Sequence, residues 1–254
     1  MSDTATQPTA DDRVALVTGA SRGIGAEIAR RLAGTGIRVA LTYTRGAEAA
    51  EAVVAEIERA GGKALAVRAD AADREAPAAA VEATVAHFGR IDILVNNAGY
   101  MDVSGTALTD VPVDVIDRTL DVNVRGALLT AQAAARHLPE GGRIVNIGSC
   151  LGERVPGGGM TPYAVSKAAI LGLTRGLARD LGPRGITVNQ ISPGPIDTDM
   201  NPADGPSAGF QRAGTALGRY GATTDIAEAV AYLVSPGAAF VTGATLAVDG
   251  GTTA

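Results

Sequence analysis

Tyr163 and Lys167 stand four residues apart in a stretch with helical character, and Ser149 precedes the tyrosine by 14 residues. On a helix, side chains at i and i+4 share one face about a turn apart, so the ammonium can sit near the phenol or near something the phenol touches. A phenol with a pKa of about 10 releases protons poorly at neutral pH, and a fixed cation favours its ionised form. The pair therefore reads as an activated acid for proton transfer. A Tyr and a Lys at this spacing are by themselves more often a solvated helix face than a site, so the reading depends on its surroundings.

Composition limits what those surroundings can be. With 254 residues, 46% of them hydrophobic, the chain can bury a substantial core. Net charge is −5 and the pI is near 5.1, with no basic block, which argues against nucleic acid or an anionic membrane as partner. A single cysteine, Cys150, excludes an internal disulfide framework, and no Cys and His cluster offers a metal site. His87 and His137 read as helix-end residues. Residues 1–12 are polar, without an apolar run or basic flank, and read as a mobile tail rather than a signal peptide or anchor. The expected location is cytoplasmic.

From Arg13 to the end, short apolar runs alternate with amphipathic stretches. Strands are expected at 14–17, 37–43, 64–68, 91–95, 143–147, 186–191 and near 245–248. Helices are expected after Gly25 and at 47–59, 73–88, about 112–137, 162–181 and 225–233, with a short one around 207–216. This alternation implies right-handed crossovers and a parallel sheet covered on both faces. No linker divides residues 13–254 into two cores. The Gly- and Pro-rich stretch 194–221 reads as a substrate loop over one end of the sheet.

Between the first strand and first helix lies a glycine turn spaced G-x-x-x-G-x-G. Gly19 lets the chain turn sharply off the strand, Gly23 lets backbone approach a pyrophosphate, and Gly25 allows close packing of helix on strand. Together with TGASRGIG from Thr18 to Gly25, the chain carries NNAG from Asn96 to Gly99, Asn123 within DVNV, Ser149, YAVSK from Tyr163 to Lys167, and Pro193 with Gly194. In this set and order of motifs the chain resembles the short-chain dehydrogenase/reductase family, over essentially residues 13–251. The resemblance implies a single-domain doubly wound Rossmann fold of the α/β class, with a parallel sheet of about seven strands and helices on both faces. It also implies a nicotinamide cofactor and no metal.

The resemblance assigns roles residue by residue. Tyr163 exchanges a proton with the substrate oxygen, Ser149 holds that oxygen, Lys167 binds the nicotinamide ribose, and Asn123 positions a proton-relaying water. Ser21, Arg22, Ile24, Asn97, Ala98, Gly99, Pro193, Gly194, Ile196 and Thr198 join the three glycines, Tyr163 and Lys167 around the cofactor, with Asp70 reaching the adenine amino group. An Asn in mid-helix is a mildly unfavourable choice, which fits a kinked backbone at Asn123. Cys150 reads as a small packing residue.

Where an NAD site places Asp or Glu after the second strand, this chain has Tyr43, Thr44 and Arg45. With Arg22 they offer a hydroxyl and two guanidinium groups to a 2′-phosphate, so NADP(H) is the expected cofactor. Leu151, Met160, Met200 and Phe210 give the substrate pocket an apolar, adaptable lining, as for a small ketone or alcohol. The alternative within the family is a 3-oxoacyl-[acyl-carrier-protein] reductase. It would need a basic docking surface, which Arg184 supplies and Glu140 opposes. A further alternative is a non-catalytic dinucleotide sensor. Small residues on the helices before Ser149 and around Tyr163, with the family's habit, imply a homotetramer.

Overall fold

Val14–Val17 is apolar at all four positions, which suits a strand buried on both faces. In the computed structural model, which describes residues 12–254, it forms β1, the first strand of a seven-stranded sheet. The others are β2 (Arg38–Tyr43), β3 (Ala64–Arg68), β4 (Ile93–Asn96), β5 (Arg143–Ile147), β6 (Thr187–Pro193) and β7 (Thr245–Val248). Their order is β3-β2-β1-β4-β5-β6-β7, and every pairing is parallel. This is a Rossmann-like single domain. Of the stretch expected as a tail, residues 1–11 lie outside the described residues, and the Asp12 carbonyl accepts from Arg38 Nη2 at 2.7 Å.

The helices are α1 (Gly23–Ala33), α2 (Ala47–Arg59), α3 (Ala76–Phe88), α4 (Val113–Leu120), α5 (Ala127–Ala135), α6 (Thr161–Leu181), α7 (Ala208–Ala213) and α8 (Thr223–Leu233). Successive strand residues point to opposite faces, so β1 sends Ala15 and Val17 into one core and Leu16 into the other. The first core holds Ile28 and Leu32 of α1, Val53 of α2 and Val230 of α8; the second holds Val81 of α3, Ala131 of α5 and Leu181 of α6. The order reverses direction between β1 and β4, and this switch point opens a crevice at the carboxyl ends of the strands.

Among the departures from the sequence reading, three have a clear local reason. The α3 helix begins at Ala76 rather than Asp73, because the Asp73 carboxylate accepts from Glu75 N and Ala76 N and holds a turn ahead of the helix, whose N-cap is Glu75. The β6 strand runs on to Pro193, paired with Val248, a strand-end place where a missing N–H costs little. The long helix expected at about 112–137 is not uniform: α4 and α5 are joined by a π-helical turn, Asp121–Gly126, which carries Asn123.

Candidate active site

The glycine turn is fastened to the end of β4 by side chains. Thr18 Oγ1 accepts from Asn97 N and Ala98 N, both at 3.0 Å, while Asn97 Nδ2 donates to Thr18 O at 2.9 Å and Gly19 O at 3.0 Å. Gly19 has φ +64°, and a Cβ there would meet Ala98 Cα at 2.8 Å. At Gly25 a Cβ would meet Gly19 O at 2.7 Å, so this turn can close only with glycine at both places. Gly23, at φ +55°, faces the Thr198 methyl, which brings the loop after β6 over the turn. Gly194 is pinned beside β7 through its N–H to Val248 O at 3.1 Å.

The adenosine-side residues differ in their availability. Arg22 and Arg45 are exposed, and neither guanidinium pairs with a described residue, whereas Tyr43 and Thr44 are half-buried at the end of β2. Asp70 is not a free carboxylate: it pairs with Arg118 at 3.1 Å and accepts from Ala72 N at 2.9 Å. Asn97 spends its amide on the turn rather than on an adenosine. Arg118 went unnoticed in the sequence, since nothing local links α4 to the end of β3.

At the other end of the crevice the catalytic candidates converge. Ser149 leaves β5 in an extended conformation and its Oγ accepts from Leu151 N at 3.1 Å, capping a one-turn 3-10 helix that includes Cys150. Lys167 is 5% exposed; its Nζ donates to Ile147 O at 3.0 Å and lies 5.6 Å from the Tyr163 ring centre. Asn123 is equally buried, accepting from Tyr100 N at 2.7 Å and donating to Tyr100 O and Ser166 Oγ, each at 2.9 Å. Ser166 in turn donates to Tyr163 O at 2.7 Å, tying the π turn to α6. Ser166 was missed because its sequence position says nothing of what crosses α6. Gly99 sits over this group, where a Cβ would stand 3.7 Å from Lys167 Nζ and 3.8 Å from Asn123 Oδ1.

Burial dominates the electrostatics. It pushes the half-buried Tyr163 phenol up to about 12, with the contact to Ser149 pulling the other way and Cys150 adding a smaller upward push. Lys167 is depressed to about 8 by burial alone. Burial of the phenol thus acts against the ionised form that a neighbouring cation favours, with Lys167 Nζ 5.6 Å from the ring centre. What results is a neutral phenol, poised to give a proton. Burial pushes the Cys150 thiol up to about 11, which agrees with a packing role.

Leu151, two residues after Ser149, and Met160 are half-buried, while Met200 and Phe210 are 49% and 63% exposed in the segment that follows β6. That segment is internally organised. Asn201 and Gln211 exchange two amide hydrogen bonds of 2.8 Å, and Leu217 N donates to Gly250 O at 3.1 Å. A small cleft beside Tyr163 is lined by Asp102, Val111, Val115, Thr119, Gly159 and Pro162, none of which the sequence singled out. Among the described residues there is no cluster of metal-ligating side chains. No helix among them is long and apolar enough to cross a membrane.

Residues 19–253 match the family model described as enoyl-(acyl carrier protein) reductase. The chain is similar to a short-chain dehydrogenase from Burkholderia cenocepacia solved in complex with NADP: 54% identity, TM-score 0.95, covering 97% of this chain and 100% of that one. This chain belongs to the short-chain dehydrogenase/reductase family. Other members named differently are also close to it. A cyclic-di-GMP-binding biofilm dispersal mediator protein of Escherichia coli is 46% identical over 94% of this chain and 96% of its own length. A 3-oxoacyl-[acyl-carrier-protein] reductase of Synechocystis is 40% identical over 94% of this chain and 96% of its own. Family membership makes the chain an oxidoreductase by descent, and relatives this close with such different names leave the substrate to the residues of the site.

Proposed function

We propose that the protein is an NADPH-dependent carbonyl reductase acting on small or medium, largely uncharged ketones and, in reverse, on the matching secondary alcohols. The observation that carries the reading is the convergence of Ser149, Tyr163 and Lys167 at the carboxyl end of β5, beside a glycine cradle that side chains would fill. The cradle, the anion-favouring start of α1 and the unpaired Arg22 and Arg45 fit a dinucleotide with a 2′-phosphate. When bound, the nicotinamide supplies the hydride.

The remaining steps belong to the chain. The Ser149 hydroxyl donates to the substrate oxygen and fixes it beside Tyr163. As negative charge develops there, the neutral phenol transfers its proton. Lys167, held by Ile147 O, keeps a cation beneath the phenol and a donor for the cofactor ribose. Asn123 holds Tyr100 and Ser166 and so fixes the start of α6, from which Tyr163 projects. Met160 and Met200 would border the bound ketone, and methionine side chains can repack around substrates of different shape.

A carrier-bound acyl substrate is the second reading, and the relative from Synechocystis favours it. Against it, Glu140 is exposed where a basic residue is wanted, and the Arg184 guanidinium is occupied with Ala135 O at 2.6 Å and Leu138 O at 2.7 Å. An acidic residue facing an acidic carrier slows association. The deciding assay follows NADPH absorbance with simple ketones, small β-ketoacyl thioesters and the same groups on carrier protein. Faster turnover of the free ketones supports the proposal, and a large kcat/KM advantage for the carrier-bound form replaces it with fatty-acid synthesis. Absence of turnover with every carbonyl would leave a binding protein, the role suggested by the name of the Escherichia coli relative.

A further inference from the structure

The loop between β3 and α3, residues 69–73, touches the segment carrying Asn123 at three places. Arg125, inside the π turn, donates from Nη2 to Ala72 O at 2.6 Å and pairs with Asp121 through its other amino group. Arg118, two turns earlier, meets Asp70 at 3.1 Å, and the other Asp70 oxygen accepts from Ala72 N at 2.9 Å. Gly126 closes the turn so near the loop that a Cβ would collide with Ala71 O and reach the Ala71 Cβ at 3.1 Å. The loop is fastened equally on its far side. Ala69 N donates to Tyr43 O at 2.8 Å, and Thr44 Oγ1 donates to Ala69 O at 3.3 Å.

One short loop thus joins the end of β2, which faces the adenosine half of the crevice, to the turn whose asparagine clamps Tyr100 and Ser166. A π turn is rare and occurs mostly as a single turn inside an α-helix, frequently at functional sites. We propose that loop 69–73 couples occupancy of the adenosine end to the geometry of the catalytic end, with Arg125 and Arg118 as positioning residues. The inference rests on the dinucleotide reading above. Ligand that orders the loop makes its contacts with the π turn harder to open, and by reciprocity a fixed π turn favours that ligand. Neither arginine touches a reacting atom; both act through Asn123.

Adenosine 2′,5′-bisphosphate is a suitable probe, because it fills the adenosine end and has no nicotinamide. Its binding is measured by calorimetry, and hydrogen–deuterium exchange is then followed at saturation in wild type, Arg125→Ala and Arg125→Lys. In wild type, exchange slows both in 69–73 and in 121–126. In Arg125→Ala, protection persists in 69–73 and is lost in 121–126, and Arg125→Lys restores it because the ammonium can still reach Ala72 O. Protection confined to 69–73 in wild type, or kept at 121–126 in Arg125→Ala, overturns the coupling while the cofactor reading stands. Failure of the probe to bind overturns both.

Discussion

Replacing Lys167 by methionine should make the protein more stable and catalytically dead. Lys167 is 5% exposed, and burial lowers its pKa from 10.5 to about 8. At about 1.4 kcal/mol for each pH unit, holding the ammonium in that place costs roughly 3 kcal/mol at neutral pH. Methionine fills similar volume without charge but gives up the bond to Ile147 O, a loss of about 1 kcal/mol. The net gain is about 2 kcal/mol at pH 7, or about 5 °C in Tm for a chain of this size. Its pH dependence has a definite sign. Between about 8 and 10.5 the unfolded chain holds a proton on Lys167 that the folded one has lost, so wild-type stability rises with pH there. The advantage of Lys167→Met should accordingly be full below pH 8 and shrink toward pH 10.5. Thermal scans of both proteins at one scan rate from pH 6.5 to 10 make the comparison. A variant less stable at pH 7, with a gap indifferent to pH, would refute the claim that burial strains this lysine.

Three other outcomes are expected. Tyr163→Phe should lower kcat by about 10²–10⁴-fold, the usual worth of a general acid, with little change in NADPH affinity by fluorescence titration. Wild-type-like turnover in that variant would end the acid assignment. Arg45→Ala should raise the KM for NADPH by about tenfold, the scale of one charged hydrogen bond, and leave that for NADH nearly unchanged. Light scattering at micromolar concentration should give the mass of a homotetramer, and a monomer would refute the assembly that the family resemblance implies; Ala133 and Ala134 of α5 face the chain's own core and do not support it.

The elements and residues that could be read from sequence are those whose constraint is local. Gly19 and Gly25 announce themselves because no other residue survives there, at φ +64° in one case and 2.7 Å from Gly19 O in the other. Val14–Val17 is apolar at all four positions because both of its faces are covered. What escaped depends on partners distant in the chain. Asp73 reads as the first residue of a helix, but its carboxylate accepts from Glu75 N and Ala76 N and holds a turn ahead of it. Asp70 carried a binding role by resemblance, yet its partner Arg118 lies 48 residues on. The π turn is invisible to a periodicity argument, which registers apolar spacing and not the pattern of backbone bonds.

The acidity of Tyr163 shows why such a site needs more than its motif. Spacing alone places a cation near the phenol and suggests a phenol that ionises readily. The fold then buries both groups, and desolvation acts on them in opposite directions, raising the phenol to about 12 and lowering the ammonium to about 8. A phenol in that state serves reduction directly, because the proton is already in place when the substrate oxygen becomes basic. The reverse reaction must begin by removing that proton. Lys167 supplies one positive charge that favours the ionised phenol, and an oxidised nicotinamide, when bound, would add a second. Alcohol oxidation should therefore gain with rising pH over a range where ketone reduction does not, and pH profiles of kcat in the two directions are the measurement. A reduction rate that falls as pH rises through neutrality, with oxidation already on its plateau there, would mean that the phenol is ionised in the free enzyme and that the buried cation governs it after all.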